Sequence, residues 1–330
     1  MKALVETEDL RVAFDGSRGS FRRSKGAVRA VDGVSLAIFK GETLGLVGES
    51  GCGKSTLGKA LLRLVHPSEG VVRFEGEDLA GVPAARLRAL RRRLQMVFQD
   101  PSASLNPRMS VGQAVSEPLL AHRLCSGRER HERTVSLLAE VGLSESLLDR
   151  FPHELSGGQR QRIAIARALA VRPSFVVADE PLTGLDGSMQ AQIANLLVEL
   201  QEQMELTYLF ISHDLRMVAH LADRVAVMYA GKLVEIVPAQ RIGALSAHPY
   251  SRALWAARAN GRLAGRQLLE GEAPSPLELP AGCRFRARCR FARARCAQEE
   301  PVLSQVAEGH SVACFWPLKP GQQLAPREVG

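Results

Sequence analysis

The stretch that decides the fold is Gly48-Glu49-Ser50-Gly51-Cys52-Gly53-Lys54-Ser55. An apolar run at residues 44–47 precedes it, and apolar residues recur at helical spacing from residue 54 to residue 64. The pattern predicts a strand, a glycine-rich loop and a helix, which is the setting of the P-loop motif. Backbone N–H groups turned inward at the glycines, together with the N-terminal end of the helix, provide the donors that phosphate oxygens require.

Individual residues of this motif have distinct expected tasks. The Lys54 ammonium is expected to reach the β- and γ-phosphates of a nucleotide, and the Ser55 hydroxyl is expected to bind Mg²⁺. Thr56 continues the nucleotide-binding segment into the helix. The alternative is a glycine-rich turn that matches by chance, and the position of the full motif between a predicted strand and a predicted helix argues against it.

Buried strands alternate with helices along the rest of the chain. Strands are predicted at 175–178 and 207–211, with a long helix at 188–204 between them. A hairpin is predicted at 223–236, with its turn at residues 230–232. This alternation indicates an α/β domain with a largely parallel sheet.

The predicted organisation has two parts. Residues 1–236 form an α/β ATPase domain of the P-loop NTPase class, with a mainly helical insert at about 86–171. Residues 237–330 form a small C-terminal extension, in which a proline-rich linker at 273–280 leads into a cysteine-rich tail.

Two acidic residues follow the strand predicted at 175–178. Asp179 is expected to help hold Mg²⁺, and Glu180 is expected to polarise the attacking water as a general base. Two acids after a strand are usually ordinary loop residues. A P-loop upstream favours the catalytic interpretation.

A third motif, Leu155-Ser156-Gly157-Gly158-Gln159, opens a predicted helix with Ser156 as its N-cap. With a P-loop before it and the Asp-Glu strand after it, the chain resembles the nucleotide-binding subunits of ABC transporters, for which this pentapeptide is the signature. The resemblance implies that this helix end binds the γ-phosphate of an ATP molecule held by the opposite subunit. Two such domains would then enclose two ATP molecules.

Three further positions match the pattern of that family. The resemblance implies that Gln99 is the Q-loop residue near Mg²⁺ and that Asp186 belongs to the D-loop. It also implies that His213 is the switch histidine that contacts the γ-phosphate. Phe14 is the candidate for the aromatic ring that stacks on adenine, and Phe21 is its competitor.

The finer resemblance is to the ATP-binding subunits of oligopeptide, dipeptide and nickel importers. It rests on residues 30–35, 98–109 and 248–254. The resemblance implies three kinds of partner: two permease subunits, a second related ATPase and a periplasmic or surface substrate-binding protein. A peptide importer is favoured, with a nickel or other small-solute importer as the alternative.

The tail contains four cysteines, Cys283, Cys289, Cys296 and Cys314, interleaved with arginines. Similar tails in some peptide-importer ATPases hold an iron–sulfur cluster, so the resemblance implies a [4Fe-4S] cluster here. Zinc and metal-free thiols are the alternatives, and the wide gaps fit a cluster at least as well as structural zinc. The surrounding arginines are expected to offset the negative charge of the cluster.

Charge and hydropathy bear on the partners. No run of the sequence approaches 18 uninterrupted apolar residues, and the N-terminus has no apolar signal core. The chain is therefore expected to be peripheral, at the cytoplasmic face of the inner membrane. A net charge of +8 is compatible with nucleic acid. The occurrence of one P-loop and one signature argues against a soluble ABC ATPase that acts on nucleic acid, and the importer-like segments argue against an exporter.

Overall fold

The computed structural model describes residues 2–14, 27–243, 245–259, 269, 271–322 and 324. The chain divides into two compact units. The first unit consists mainly of residues 77–211, with residues 38–42 and the N-terminal residues up to Leu4. The second unit contains residues 5–37, residues 43–76 and the chain from Ser212 onward.

Strands and helices alternate along the described residues. The strands are β1 (Ala3–Phe14), β2 (Val28–Phe39), β3 (Thr43–Val47), β4 (Glu69–Phe74), β5 (Glu77–Asp78), β6 (Leu94–Val97), β7 (Phe175–Asp179), β8 (Thr207–Ile211), β9 (Arg224–Tyr229), β10 (Lys232–Pro238), β11 (Ser304–Ala307) and β12 (His310–Val312). The helices are α1 (Lys54–Leu61), α2 (Ala84–Leu90), α3 (Pro101–Ser104), α4 (Val111–Ala121), α5 (Gly127–Glu140), α6 (Gly157–Leu169), α7 (Gly187–Met204), α8 (Leu215–Leu221), α9 (Pro249–Ala259) and α10 (Ala294–Gln298).

The first unit contains three parallel strands in the order β8-β7-β6. Every residue of β7 and β8 is buried, as expected for parallel strands covered on both faces. Helices α4, α5 and α6 pack on one another, and the Arg167 guanidinium ties this helical part together by donating to the Ser104 carbonyl at 3.0 Å and to Glu117 at 2.7 Å. The stretch predicted as mainly helical also contains the strand β6.

The second unit contains two groups of strands. One group has the order β2-β1-β4, with β1 antiparallel to β4. In the other group β3 runs parallel to β9, and β9, β10, β12 and β11 continue as antiparallel neighbours. The predicted hairpin is confirmed, with residues 230 and 231 between β9 and β10. Because β12 pairs with β10, the segment predicted as a C-terminal extension is hydrogen-bonded into this group of strands.

Helix α8 lies against β3 at Gly45. A Cβ atom at this position would lie 2.3 Å from the Val218 Cγ1 atom and 3.2 Å from the Ala222 Cβ atom. Both neighbours are buried. The strand therefore needs a residue without a side chain where the helix crosses it.

We predict that Gly45→Ala lowers the free energy of unfolding by about 1–3 kcal/mol, because the added methyl group pushes α8 away from β3. Gly81→Ala is the matched control, since a Cβ atom there meets no atom within 4 Å. Chemical denaturation of the full chain measures both variants. Equal stability of the two would show that α8 does not pack closely on Gly45.

Within the described residues, no helix combines the length and the apolar character needed to cross a membrane.

Candidate nucleotide-binding site

The P-loop has the predicted strand–loop–helix setting. Strand β3 ends at Val47, and α1 begins at Lys54. The Lys54 side chain is buried, and its ammonium donates to the carbonyls of Gly48 and Glu49, both at 3.0 Å. No side chain caps the first turn of α1, so its N–H groups and the helix dipole suit an anion.

The loop backbone passes very close to β2 at Gly53. A Cβ atom on Gly53 would lie 2.0 Å from the Ala30 carbonyl oxygen, and the φ angle of 109° is one that L side chains rarely adopt. Both conditions are met only by glycine. The path of the chain into α1 therefore depends on this residue.

Three contacts hold the P-loop from outside. The Gly231 N–H donates to the Cys52 carbonyl at 2.9 Å, and the Glu49 N–H donates to the Tyr250 hydroxyl at 2.9 Å. The Glu49 carboxylate accepts two hydrogen bonds from Arg288, at 2.7 and 2.8 Å. Sequence reasoning assigned no role at the P-loop to Tyr250 or Arg288. The resemblance in residues 248–254 and the arginines between the tail cysteines were the available signals.

The predicted switch histidine and adenine-stacking residue also belong to the second unit. His213 is exposed in the loop before α8, whose N-cap is Asp214. The Ser212 N–H donates to the Leu46 carbonyl at 3.2 Å, which places this loop beside the end of β3 that leads into the P-loop. Phe14 ends β1 with 43% of its surface exposed. Phe21 lies outside the described residues.

The predicted catalytic acid has a defined orientation in the first unit. Asp179 is buried at the end of β7, and Glu180 follows it with a φ angle of 47°. The Glu180 N–H donates to the Ile211 carbonyl at 2.9 Å, and the Thr183 hydroxyl donates to the Glu180 carboxylate at 2.8 Å. The backbone and one hydroxyl thus fix the direction of this carboxylate.

The signature residues form the predicted helix start. The Ser156 hydroxyl accepts from the Gln159 N–H at 3.2 Å, and the Gln159 side chain accepts from the Ser156 N–H at 3.0 Å, which completes a capping box. A Cβ atom on Gly157 would touch the Leu185 side chain at 3.5 Å, and Asp186 caps the next helix, α7. The structure therefore brings the signature and the D-loop together.

The remaining predicted residue of the first unit is Gln99. It is exposed and lies two residues beyond the end of β6. Asp100, which follows it, caps α3 by accepting from the Ser102 N–H at 2.8 Å. The Q-loop residue therefore lies between a buried strand and a capped helical turn.

The four tail cysteines converge on one small cavity with largely aromatic walls. Its lining includes Cys283, Cys289, Cys296, Cys314, Phe285 and Trp316. The cavity encloses about 10 Å³, room for about one water molecule. Within the described residues, no three His, Cys, Asp or Glu side chains are placed so that they could hold a metal ion. Four thiols are suitable ligands for a metal–thiolate centre. The volume of the cavity and the placement of the four side chains do not confirm one, so the iron–sulfur site stays a prediction.

Burial shapes the chemistry of these thiols. It raises the pKa of Cys289 to about 12 and the pKa of Cys314 to about 11, and it also raises the pKa of Cys283. Neighbouring thiols of the cluster act in the same direction as burial on each of the three pKa values, with a smaller effect. Because the three thiols are protonated at neutral pH, any metal bound here must displace protons.

The tail arginines are less available to these thiols than the sequence predicted. Arg284 pairs with Asp32, and Arg288 pairs with Glu49, so both compensate acids outside the tail. The Arg293 guanidinium lies 4.2 Å from the centre of the Trp316 ring. The expectation that the surrounding arginines offset the charge of a cluster stays a prediction.

Comparison with known proteins decides the family. The model of the ABC transporter family matches residues 31–183, and that of the oligopeptide/dipeptide transporter C-terminal region matches residues 234–296. The oligopeptide transport ATP-binding protein AppF of Bacillus subtilis is 48% identical over 95% of this chain and 97% of its own length. The chain belongs to the ATP-binding subunits of oligopeptide ABC transporters. OppF of Salmonella typhimurium, also an oligopeptide transport ATP-binding protein, is 46% identical over 95% of the chain and 96% of its own length.

A solved structure supports the fold of this ABC subunit. The ATP-binding cassette MJ0796, bound to ADP and Pi in a dimeric post-hydrolysis state, aligns with a TM-score of 0.64 at 29% identity. The alignment covers 71% of this chain and 98% of that chain. The P-loop ABC ATPase fold, with mixed α/β content, is thereby confirmed.

We predict that Gly53→Ala abolishes nucleotide binding by this ABC subunit, because the methyl group collides with the Ala30 carbonyl and deforms the loop. Gly51→Ala is the matched control. Its φ of 78° also disfavours alanine, but a Cβ atom there meets nothing within 4 Å. A fluorescent ATP analogue titrated into the full-length variants measures the difference. Equal binding by both would contradict the proposed role of the close approach.

Proposed function

We propose that this chain is the ATP-hydrolysing subunit of an importer that takes up di- and oligopeptides across the cytoplasmic membrane. The observation that carries the proposal is the identity with oligopeptide transport ATP-binding proteins over nearly the whole chain, including the C-terminal extension. Specificity for the peptide resides in partner proteins, because this chain supplies the motifs that act on ATP.

Phosphate binding is assigned to the P-loop and to the start of α1. Lys54 and the backbone N–H groups of residues 48–56 bind the phosphates, and Phe14 stacks on adenine. The groups assigned to Mg²⁺ are Ser55, Gln99 and Asp179, whose oxygen atoms are the ligand type that this ion prefers. The bound ion neutralises phosphate charge.

Hydrolysis is assigned to Glu180 as the general base. Support comes from its position directly after β7 and from the Thr183 hydroxyl that orients its carboxylate. His213 senses the γ-phosphate, while the helix start at residues 156–159 and the D-loop residue Asp186 act on the ATP of an opposite ATPase subunit. Preorganised N–H donors at that helix start stabilise the charge that develops in the transition state.

We predict that Glu180→Gln retains ATP binding but lowers the hydrolysis rate by about 10²–10⁴-fold, since the amide cannot accept the proton of the attacking water. Thr183→Val is the companion variant. It removes only the hydrogen bond that orients Glu180 and is expected to slow hydrolysis less. Phosphate release by the assembled transporter measures both, and a normal rate for Glu180→Gln would exclude this residue as the base.

The proposed complex contains two permease subunits, a second related ATPase and a periplasmic or surface substrate-binding protein. The chain attaches to the permeases at the cytoplasmic face of the inner membrane. Affinity purification of the tagged subunit from detergent-solubilised native membranes, followed by mass spectrometry, tests this composition. Two permeases and a related ATPase are the expected result. Recovery with nucleic acid and without permeases would contradict the transport function, and a nickel-binding partner protein would contradict the peptide substrate.

The proposal extends to a metal–thiolate centre at Cys283, Cys289, Cys296 and Cys314. Its support is the convergence of all four thiols on one cavity and the family resemblance of the tail. Thiolate sulfur is the ligand type of iron–sulfur clusters and of structural zinc. A [4Fe-4S] cluster is favoured over zinc, and the small cavity would have to widen to accept it.

We predict that the anaerobically purified chain contains iron and acid-labile sulfide, and that Cys289→Ser loses both. Cys125→Ser is the matched control, because Cys125 lies outside the tail. Chemical analysis of bound metal and acid-labile sulfide measures the result independently of ATPase activity. Zinc in place of iron would refute the cluster, and unchanged metal content in Cys289→Ser would refute the four-ligand site.

A further inference from the structure

We propose that Arg288, in the cysteine-rich tail, is a positioning residue for the P-loop and sets its affinity for nucleotide through Glu49. Arg288 lies one residue before Cys289 and far from the P-loop in sequence. The inference goes beyond the proposed function and rests on the ATP binding that it assigns to residues 48–56.

The contact between the two residues is close and shielded from water. The guanidinium donates to both carboxylate oxygens of Glu49, at 2.7 and 2.8 Å. Only 5% of the Arg288 side chain and 26% of the Glu49 side chain are exposed. Paired hydrogen bonds fix direction as well as distance, and a buried pair is screened little by salt.

Glu49 is held at every polar group that the structure describes. Its N–H donates to the Tyr250 hydroxyl, its carbonyl accepts from the Lys54 ammonium at 3.0 Å, and its carboxylate binds Arg288. Two of these three partners belong to the C-terminal extension. The extension therefore controls the backbone on which Lys54, the main cation of the P-loop, depends.

The contact between Arg288 and Glu49 also neutralises a negative charge in the P-loop. Glu49 places a carboxylate in a loop whose task is to bind phosphates, and like charges at close range repel. The bidentate pair with Arg288 cancels that charge and keeps the carboxylate turned toward the tail. Without Arg288, the Glu49 charge would be unpaired beside the phosphates.

Other contacts of Arg288 offer a second explanation for any effect of its substitution, namely that the residue only stabilises the tail. Its guanidinium also donates to the Leu269 carbonyl at 3.1 Å and lies 5.8 Å from the centre of the Tyr229 ring. Loss of these contacts would loosen the tail without any direct effect on the P-loop. A test must therefore separate the Glu49 contact from packing.

The test measures binding of a fluorescent ATP analogue with Mg²⁺ to the full chain. Arg288→Met is expected to weaken binding by about tenfold, equivalent to about 1.4 kcal/mol. Arg288→Lys keeps the charge but cannot make the two-armed contact, so it should lie between the methionine variant and the wild type. The lysine variant also keeps the test decisive if the methionine variant fails to fold.

The matched control is Arg295→Met. Arg295 directly precedes Cys296 as Arg288 directly precedes Cys289, but it pairs with the exposed Glu299 within the tail. We expect wild-type nucleotide affinity for this variant. If both methionine variants weaken binding equally, general loss of tail charge is the cause, and the specific role of Arg288 is refuted.

The decisive variant combines Arg288→Met with Glu49→Gln. If Arg288 acts through Glu49, Arg288→Met should cost much less affinity when added to Glu49→Gln than when added to the wild type, whereas loss of tail packing would cost the same in both backgrounds. An equal loss of affinity in the two backgrounds would overturn the inference, as would unchanged binding by Arg288→Met itself. A wild-type chain that binds no nucleotide would instead contradict the proposed function on which the inference rests.

Discussion

The close approach of the P-loop backbone to its surroundings is the constraint on which the second unit depends. Phosphate oxygens are bound by backbone N–H groups, so the loop must hold one conformation against the strong tendency of an irregular segment to move. Its path brings Gly53 against Ala30, and the Gly231 N–H against the Cys52 carbonyl. Contacts with neighbouring strands therefore hold the loop in one conformation. That fixed conformation is what allows its N–H groups to bind phosphate.

The predicted C-terminal extension also helps to hold the P-loop in place. It continues the strands of the second unit through β12, and it supplies Tyr250 and Arg288 to the segment that carries Lys54. An appendage that only stabilised the fold would not need a buried charged pair at a phosphate-binding loop, because such a pair costs desolvation. The tail thus contacts the phosphate-binding loop directly, through the hydrogen bonds of Arg288 to Glu49.

Local patterns carried most of what the sequence could predict. The strand–loop–helix of residues 44–61, the β9–β10 hairpin and the Ser156 cap all depend on neighbours a few residues apart, so their periodicity and turn residues reveal them. The partners of Glu49 lie 201 and 239 residues away, and no local signal marks such contacts. The convergence of the cysteines on one cavity likewise depends on the folded tail, which spacing alone does not fix.

The measurement that tests the function most directly is ATP hydrolysis by the transporter reconstituted in lipid vesicles, with and without its peptide-loaded binding protein. We predict that the loaded binding protein raises the rate and that nucleic acid does not. A rate that responds to nucleic acid, or a rate indifferent to peptide in a complex that still hydrolyses ATP, would contradict a peptide importer while leaving the ATP chemistry intact.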